Sequence, residues 1–124
     1  MILILIAVGG AVGSVCRYLF GAFVNRLVHA GPHYGTLAVN IVGSIIIGML
    51  TRLFLHSQTE AYARAALIVG FCGGFTTFST FSLETMGLIN GGEWGQALAY
   101  IAMSVVACVA GTAFGLAFGP RLNP

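Results

Sequence analysis

Four long apolar stretches separated by short polar ones pattern the chain, and they predict helices at Leu3–Val28, Thr36–Leu55, Ala61–Ile89 and Trp94–Phe118. A helix needs about 20 apolar residues to cross a bilayer, and each stretch meets that length. The third differs from the others. Its middle reads Gly73-Gly74-Phe75-Thr76-Thr77-Phe78-Ser79-Thr80-Phe81, where adjacent glycines raise the backbone entropy cost and threonines offer hydroxyls to nearby carbonyls. The pattern predicts a break near 73–77. Non-helical backbone at membrane depth persists only where protein buries it or where it lines a polar cavity. Freed carbonyls and helix ends at such breaks bind ions in channels and transporters, so the break is a candidate ion site.

Composition agrees with an all-α integral membrane protein. Of 124 residues 58% are apolar and 6% charged, against roughly a quarter charged in soluble domains. There is no lysine and no aspartate; the charges are Arg17, Arg26, Arg52, Arg64, Arg121, Glu60, Glu84 and Glu93. The connections His29–Gly35, His56–Glu60 and Asn90–Glu93 are too short for a further domain, so a single four-helix membrane domain over 1–124 is expected. The apolar start lacks the basic n-region of a signal peptide, and the first stretch is read as retained. Cys16, Cys72 and Cys108 each fall inside a predicted span without metal-ligand spacing, as packing residues do.

With four helices, Arg52, Arg64 and Arg121 fall on one side of the membrane and Arg26, His29 and His33 on the other. So small an excess of arginine barely fixes direction. Both termini cytoplasmic is one reading; insertion in both directions with antiparallel pairing is the other.

Few polar residues lie inside the spans. Arg17, far along the first, either faces a water-filled vestibule or snorkels to the interface. Asn40 either bonds a neighbouring helix or donates its amide to a passing anion. Tyr100, Ser104, Cys108 and Thr112 recur every four residues and form a polar stripe down the last helix, which serves as helix–helix glue or as one wall of a hydrated path. Glycine pairs such as Gly9/Gly13, Gly70/Gly74 and Gly111/Gly115 predict close helix packing. Phe78 and Phe81 share a helical face; they pack, or they turn positive ring edges toward an anion. Glu84 is read as an interfacial group or an arginine's partner.

Taken together, Gly35-Thr36-Leu37-x-Val39-Asn40 in the second span and Gly73–Ser82 in the third resemble the Fluc (CrcB) fluoride channels. The resemblance covers essentially the whole chain. It implies an antiparallel, dual-topology homodimer in the bacterial inner membrane that passively exports fluoride along two pathways at the subunit interface. It also implies a structural Na⁺ at the dimer centre, held by carbonyls that fall here on Gly73 and Thr76. The pore phenylalanines correspond to Phe78 and Phe81 and the pore amide to Asn40, with Ser79 and Thr80 in the same signature. Arg17 matches a vestibule arginine, and Tyr100, Ser104 and Thr112 the polar track of the last helix. Cys108 departs from the family, which commonly has a hydroxyl there; a thiol is a weaker donor.

Two other classes fit less well. A small proton-coupled drug exporter needs a membrane-embedded carboxylate, and the first span offers Arg17 instead. A structural subunit gains nothing from a broken helix. No nucleophile–base pair or nucleic-acid motif is present, so neither an enzyme nor a nucleic-acid partner is expected.

Overall fold

The computed structural model describes residues 1–29, 31, 33–54 and 60–121; the predicted helix end at Leu55 and the connection residue His56 lie outside them. Helix α1 spans Ile2–Val28 and α2 spans His33–Leu53. Helix α3 covers 61–75: α-helical at Ala61–Arg64, π-helical at Ala65–Cys72 and α-helical again at Gly73–Phe75. Helix α4 is Phe78–Asn90 and α5 is Trp94–Phe118. Counting α3 and α4 together as Ala61–Asn90, four helices are long and apolar enough to cross a membrane.

Glycines set how these helices meet. Lipid is as apolar as the side chains, so close backbone packing replaces hydrophobic drive between spans. Helix α1 lies against α3: a Cβ on Gly13 would overlap the Phe71 carbonyl oxygen, and one on Gly74 would overlap that of Gly10. Helices α2 and α5 pair in the same way, with Gly48 against the Thr112 carbonyl and Gly115 against that of Ile45. Between these pairs Val39 and Cys72 are almost completely buried, as is Phe75, which stacks on Phe71 at 5.6 Å and tilts against Phe20 at 6.3 Å.

The two spans joined through 76–77 are the part that positions the site. Helical backbone continues through both glycines, Gly73 and Gly74, and departs only at Thr76 (φ −78°, ψ 155°) and Thr77 (φ −149°, ψ 109°). The extended residues are thus the last two of the stretch 73–77. Gly74 serves the contact with α1 rather than the departure itself. The π-helical turns just before it were not predicted; such insertions recur at functional sites.

Candidate functional site

The extended residues Thr76 and Thr77 leave backbone groups without helical partners, and the surroundings supply substitutes. In a continuous helix the Thr77 N–H would donate to the Gly73 carbonyl four residues back. It donates instead to Asn40 Oδ1 at 2.8 Å, while Asn40 Nδ2 donates to the Thr77 carbonyl at 3.1 Å. The amide of α2 thus closes a two-point clamp on the backbone of the third span. Gly43, one turn further along α2, leaves room for it: a Cβ there would run into the Thr76 methyl group.

Thr77 also caps α4. Its Oγ1 accepts from the Thr80 N–H at 3.2 Å and donates to Thr80 Oγ1 at 2.9 Å. A regular helix would send the Thr80 N–H to the Thr76 carbonyl. Gly73 and Thr76 are therefore the two residues whose carbonyls lose their helical donors to identified side-chain acceptors. Thr76 turns its own hydroxyl back to the Cys72 carbonyl at 2.9 Å. Replacing Thr77 by alanine removes the cap, and the expected result is a loss of about 1 kcal/mol of stability, read as a lower thermal midpoint in detergent.

Two cavities flank this segment, and Thr77 lines both. The first, of about 430 Å³ and open on one side, is lined by Asn40, Ser44, Thr76, Phe78, Phe81, Ser104 and Cys108 among others, none of them charged. Ser104 Oγ is buried there without a hydrogen-bond partner among the described residues. Phe78 and Phe81 meet at 5.3 Å and 47°, and Phe81 meets Tyr100 at 5.1 Å and 57°. Tyr100 in turn tilts against His33 at 5.5 Å. A ladder of rings thus leads from mid-span toward the start of α2.

The second cavity, of about 330 Å³, is lined by Arg17, Asn25, Gly35, Thr36, Thr80 and Glu84 with Thr77. Glu84 is held by hydroxyls rather than by an arginine: Oε1 accepts from Thr36 at 2.8 Å and Oε2 from Tyr100 at 2.7 Å. Asn25 Oδ1 accepts from the Gly35 N–H at 2.7 Å and so satisfies one of the open donors in the first turn of α2.

Of the residues singled out in the sequence, Asn40, Phe78, Phe81 and Ser104 come together around the first cavity, with Tyr100 packed behind Phe81. Thr80 and Arg17 line the second. Ser79 lies exposed beside Thr77, 3.4 Å from its hydroxyl. Thr112 lies one turn beyond Cys108 and lines neither cavity; its carbonyl faces Gly48. Thr36, Thr77, Glu84 and Asn25 were not singled out for the roles they take. The spacing of Thr77, Thr80 and Glu84 at i, i+3 and i+7 is a polar stripe that includes two of these four residues. Among the described residues no three His, Cys, Asp or Glu side chains gather to hold a metal.

A family model described as CrcB-like protein, Camphor Resistance (CrcB), matches residues 4–116. The chain belongs to the CrcB family. Several CrcB relatives carry the name Fluoride-specific ion channel FluC. One from Agrobacterium fabrum (strain C58) is 48% identical over 123 residues, covering 95% of each chain. One from Sulfurovum sp. (strain NBC37-1) is 40% identical over 121 residues, covering 98% of this chain and 95% of its own. One from Thermus thermophilus is 50% identical over 97 residues, or 78% of this chain and 76% of its own. With its four spans, this CrcB chain is a multi-pass membrane protein.

Proposed function

We propose that the chain forms a fluoride-selective channel that lets fluoride leave the cytoplasm passively across the bacterial inner membrane. The carrying observation is the first cavity: uncharged, at mid-span, and lined by hydrogen-bond donors and aromatic rings. Fluoride sheds its water only where donors replace it. Asn40 commits one amide N–H to Thr77, and a primary amide has two. Ser104 Oγ has no partner among the described residues. Phe78 and Phe81 add ring edges, which are positive without carrying a formal charge. A lysine or arginine in the cavity would hold the ion too tightly to release it, since conduction needs entry sites weak enough to leave. Arg17, lining the neighbouring cavity, draws anions inward without binding them in the narrow part.

An antiparallel homodimer of a dual-topology subunit completes the reading. Gly73, Phe78, Ser79 and Thr80 are all exposed near the middle of the third span. Exposed hydroxyls and backbone are costly against hydrocarbon, and a second copy covering this face removes that cost. A structural Na⁺ fits the same face. The carbonyls of Gly73 and Thr76 would hold it, since their helical donors are diverted to Asn40 and to the Thr77 hydroxyl, and a two-fold partner would bring an identical pair. Such an ion supplies a fixed positive potential beside an anion path.

Efflux from liposomes tests the proposal, with fluoride followed by electrode and chloride in parallel. Fluoride is expected to leave and chloride to stay. Phe78→Ile keeps the apolar bulk but loses the ring edge, and efflux is expected to fall roughly tenfold. Equal release of both anions, or no fluoride release from well-folded protein, would overturn the reading.

A further inference from the structure

We infer that Cys108 is a modification site inside the conduction path, which makes this channel sensitive to small thiol-reactive electrophiles. The inference rests on the proposed function, because it takes the first cavity to be the path.

Three observations carry it. Cys108 lines that cavity alongside Asn40, Phe78 and Ser104 and is only half-buried. Ser104 precedes it by four residues on α5, so both side chains lie on one face of the helix, about 6 Å apart along its axis. Ser104 is itself only 7% exposed, with an Oγ that has no partner among the described residues. Its open hydroxyl, on the same wall as the thiol, marks this stretch as built to meet a ligand. The other two cysteines line neither cavity: Cys72 is 1% exposed in the core, and Cys16 lies on α1.

Reactivity requires a thiol that a reagent can reach, and in this chain the path itself provides the access. With methyl methanethiosulfonate, a small neutral reagent, the Cys108 sulfur attacks the sulfenyl sulfur. An S–S bond forms, the S–SO₂ bond breaks, methanesulfinate leaves with the electron pair, and the thiol proton passes to water. The product carries an S-methylthio group where an S–H donor stood. A moving anion then loses one donor and meets an apolar obstruction at the same step. Losing a hydrogen bond to a charged group in this way is expected to slow fluoride efflux about tenfold.

The experiment treats reconstituted native protein and Cys108→Ser with the reagent, measures fluoride efflux before and after, and maps adducts by mass spectrometry. Native efflux is expected to fall about tenfold with an adduct on Cys108, to recover when a reducing agent removes the adduct, and to be unaffected in Cys108→Ser. An unmodified Cys108, or efflux that survives a complete adduct on it, would overturn the inference alone. Equal inhibition of Cys108→Ser would place the effect elsewhere and also overturn it. Absence of fluoride efflux from untreated native protein would remove the proposed function, and this inference with it.

Discussion

Asn40→Asp is expected to abolish measurable fluoride efflux while changing the size of the side chain hardly at all. The aspartate keeps an oxygen where Oδ1 accepts from the Thr77 N–H, at 2.8 Å in the native chain. It puts a second oxygen where Nδ2 donated to the Thr77 carbonyl at 3.1 Å, so an acceptor there faces an acceptor. If ionised, the new group also sets a negative charge on the wall of an anion path. At 4 Å and an effective dielectric near 20, two like charges repel by about 4 kcal/mol. At roughly 1.4 kcal/mol per tenfold change, half of that repulsion slows efflux about 30-fold and the whole of it roughly several hundredfold. Asn40→Ser, which keeps a donor but cannot span both backbone groups, is expected to leave partial efflux. Electrode traces from matched liposomes decide between the two, and native-like efflux from Asn40→Asp would remove the amide from the path.

The largest effect on folding is expected at Gly74. A Cβ at this position would overlap the Gly10 carbonyl oxygen and lie 3.0 Å from Gly10 C and Cα. All three are backbone atoms of α1, so no rotamer change relieves the clash. Gly74→Val therefore forces α1 away from α3, and overpacking of this kind costs about 1–3 kcal/mol or more. The separation also costs the Ser14 hydroxyl its contact with the Gly74 carbonyl at 3.4 Å. Gly74→Val is expected to run as aggregate on size exclusion in mild detergent. Gly87→Ala serves as its control: nothing lies within 4 Å of the added methyl, so the variant should be monodisperse and at least as stable as native protein. Equal behaviour of the two would show that close α1–α3 packing is dispensable.

The four spans were readable in the sequence because they rest on local composition, apolar runs long enough to cross. The partner of the Thr77 backbone was not: Asn40 lies 37 residues away in sequence, and no local pattern reveals a partner that distant. The same reason hid the hydroxyl shell of Glu84, whose donors come from α2 and α5. The π-helical stretch Ala65–Cys72 is almost uniformly apolar, so it has no polar stripe whose period could betray the extra residue per turn. Around the first cavity, Phe78, Phe81, Asn40 and Ser104 were legible because a ring pair at helical spacing and polar side chains inside apolar spans stand out. Thr77 was harder to see, since its part in the site comes from bonds that exist only once the helix has parted.

The Asn40–Thr77 clamp also restricts how the molecule can move. Straightening the third span would return the Thr77 N–H to Gly73 and the Thr80 N–H to Thr76, so the backbone would gain about as many bonds as it gave up. The side-chain amide would not. Released from Thr77, it would lose both of these backbone partners, at a cost of about 1–3 kcal/mol on the scale set by protein mutants. The elbow is thus locked from outside, by α2, rather than by any stiffness of its own chain. A tilt or slide of α2 that keeps the clamp closed carries Thr77 and the cap of α4 with it, and because Thr77 borders both cavities, the two then change shape in step.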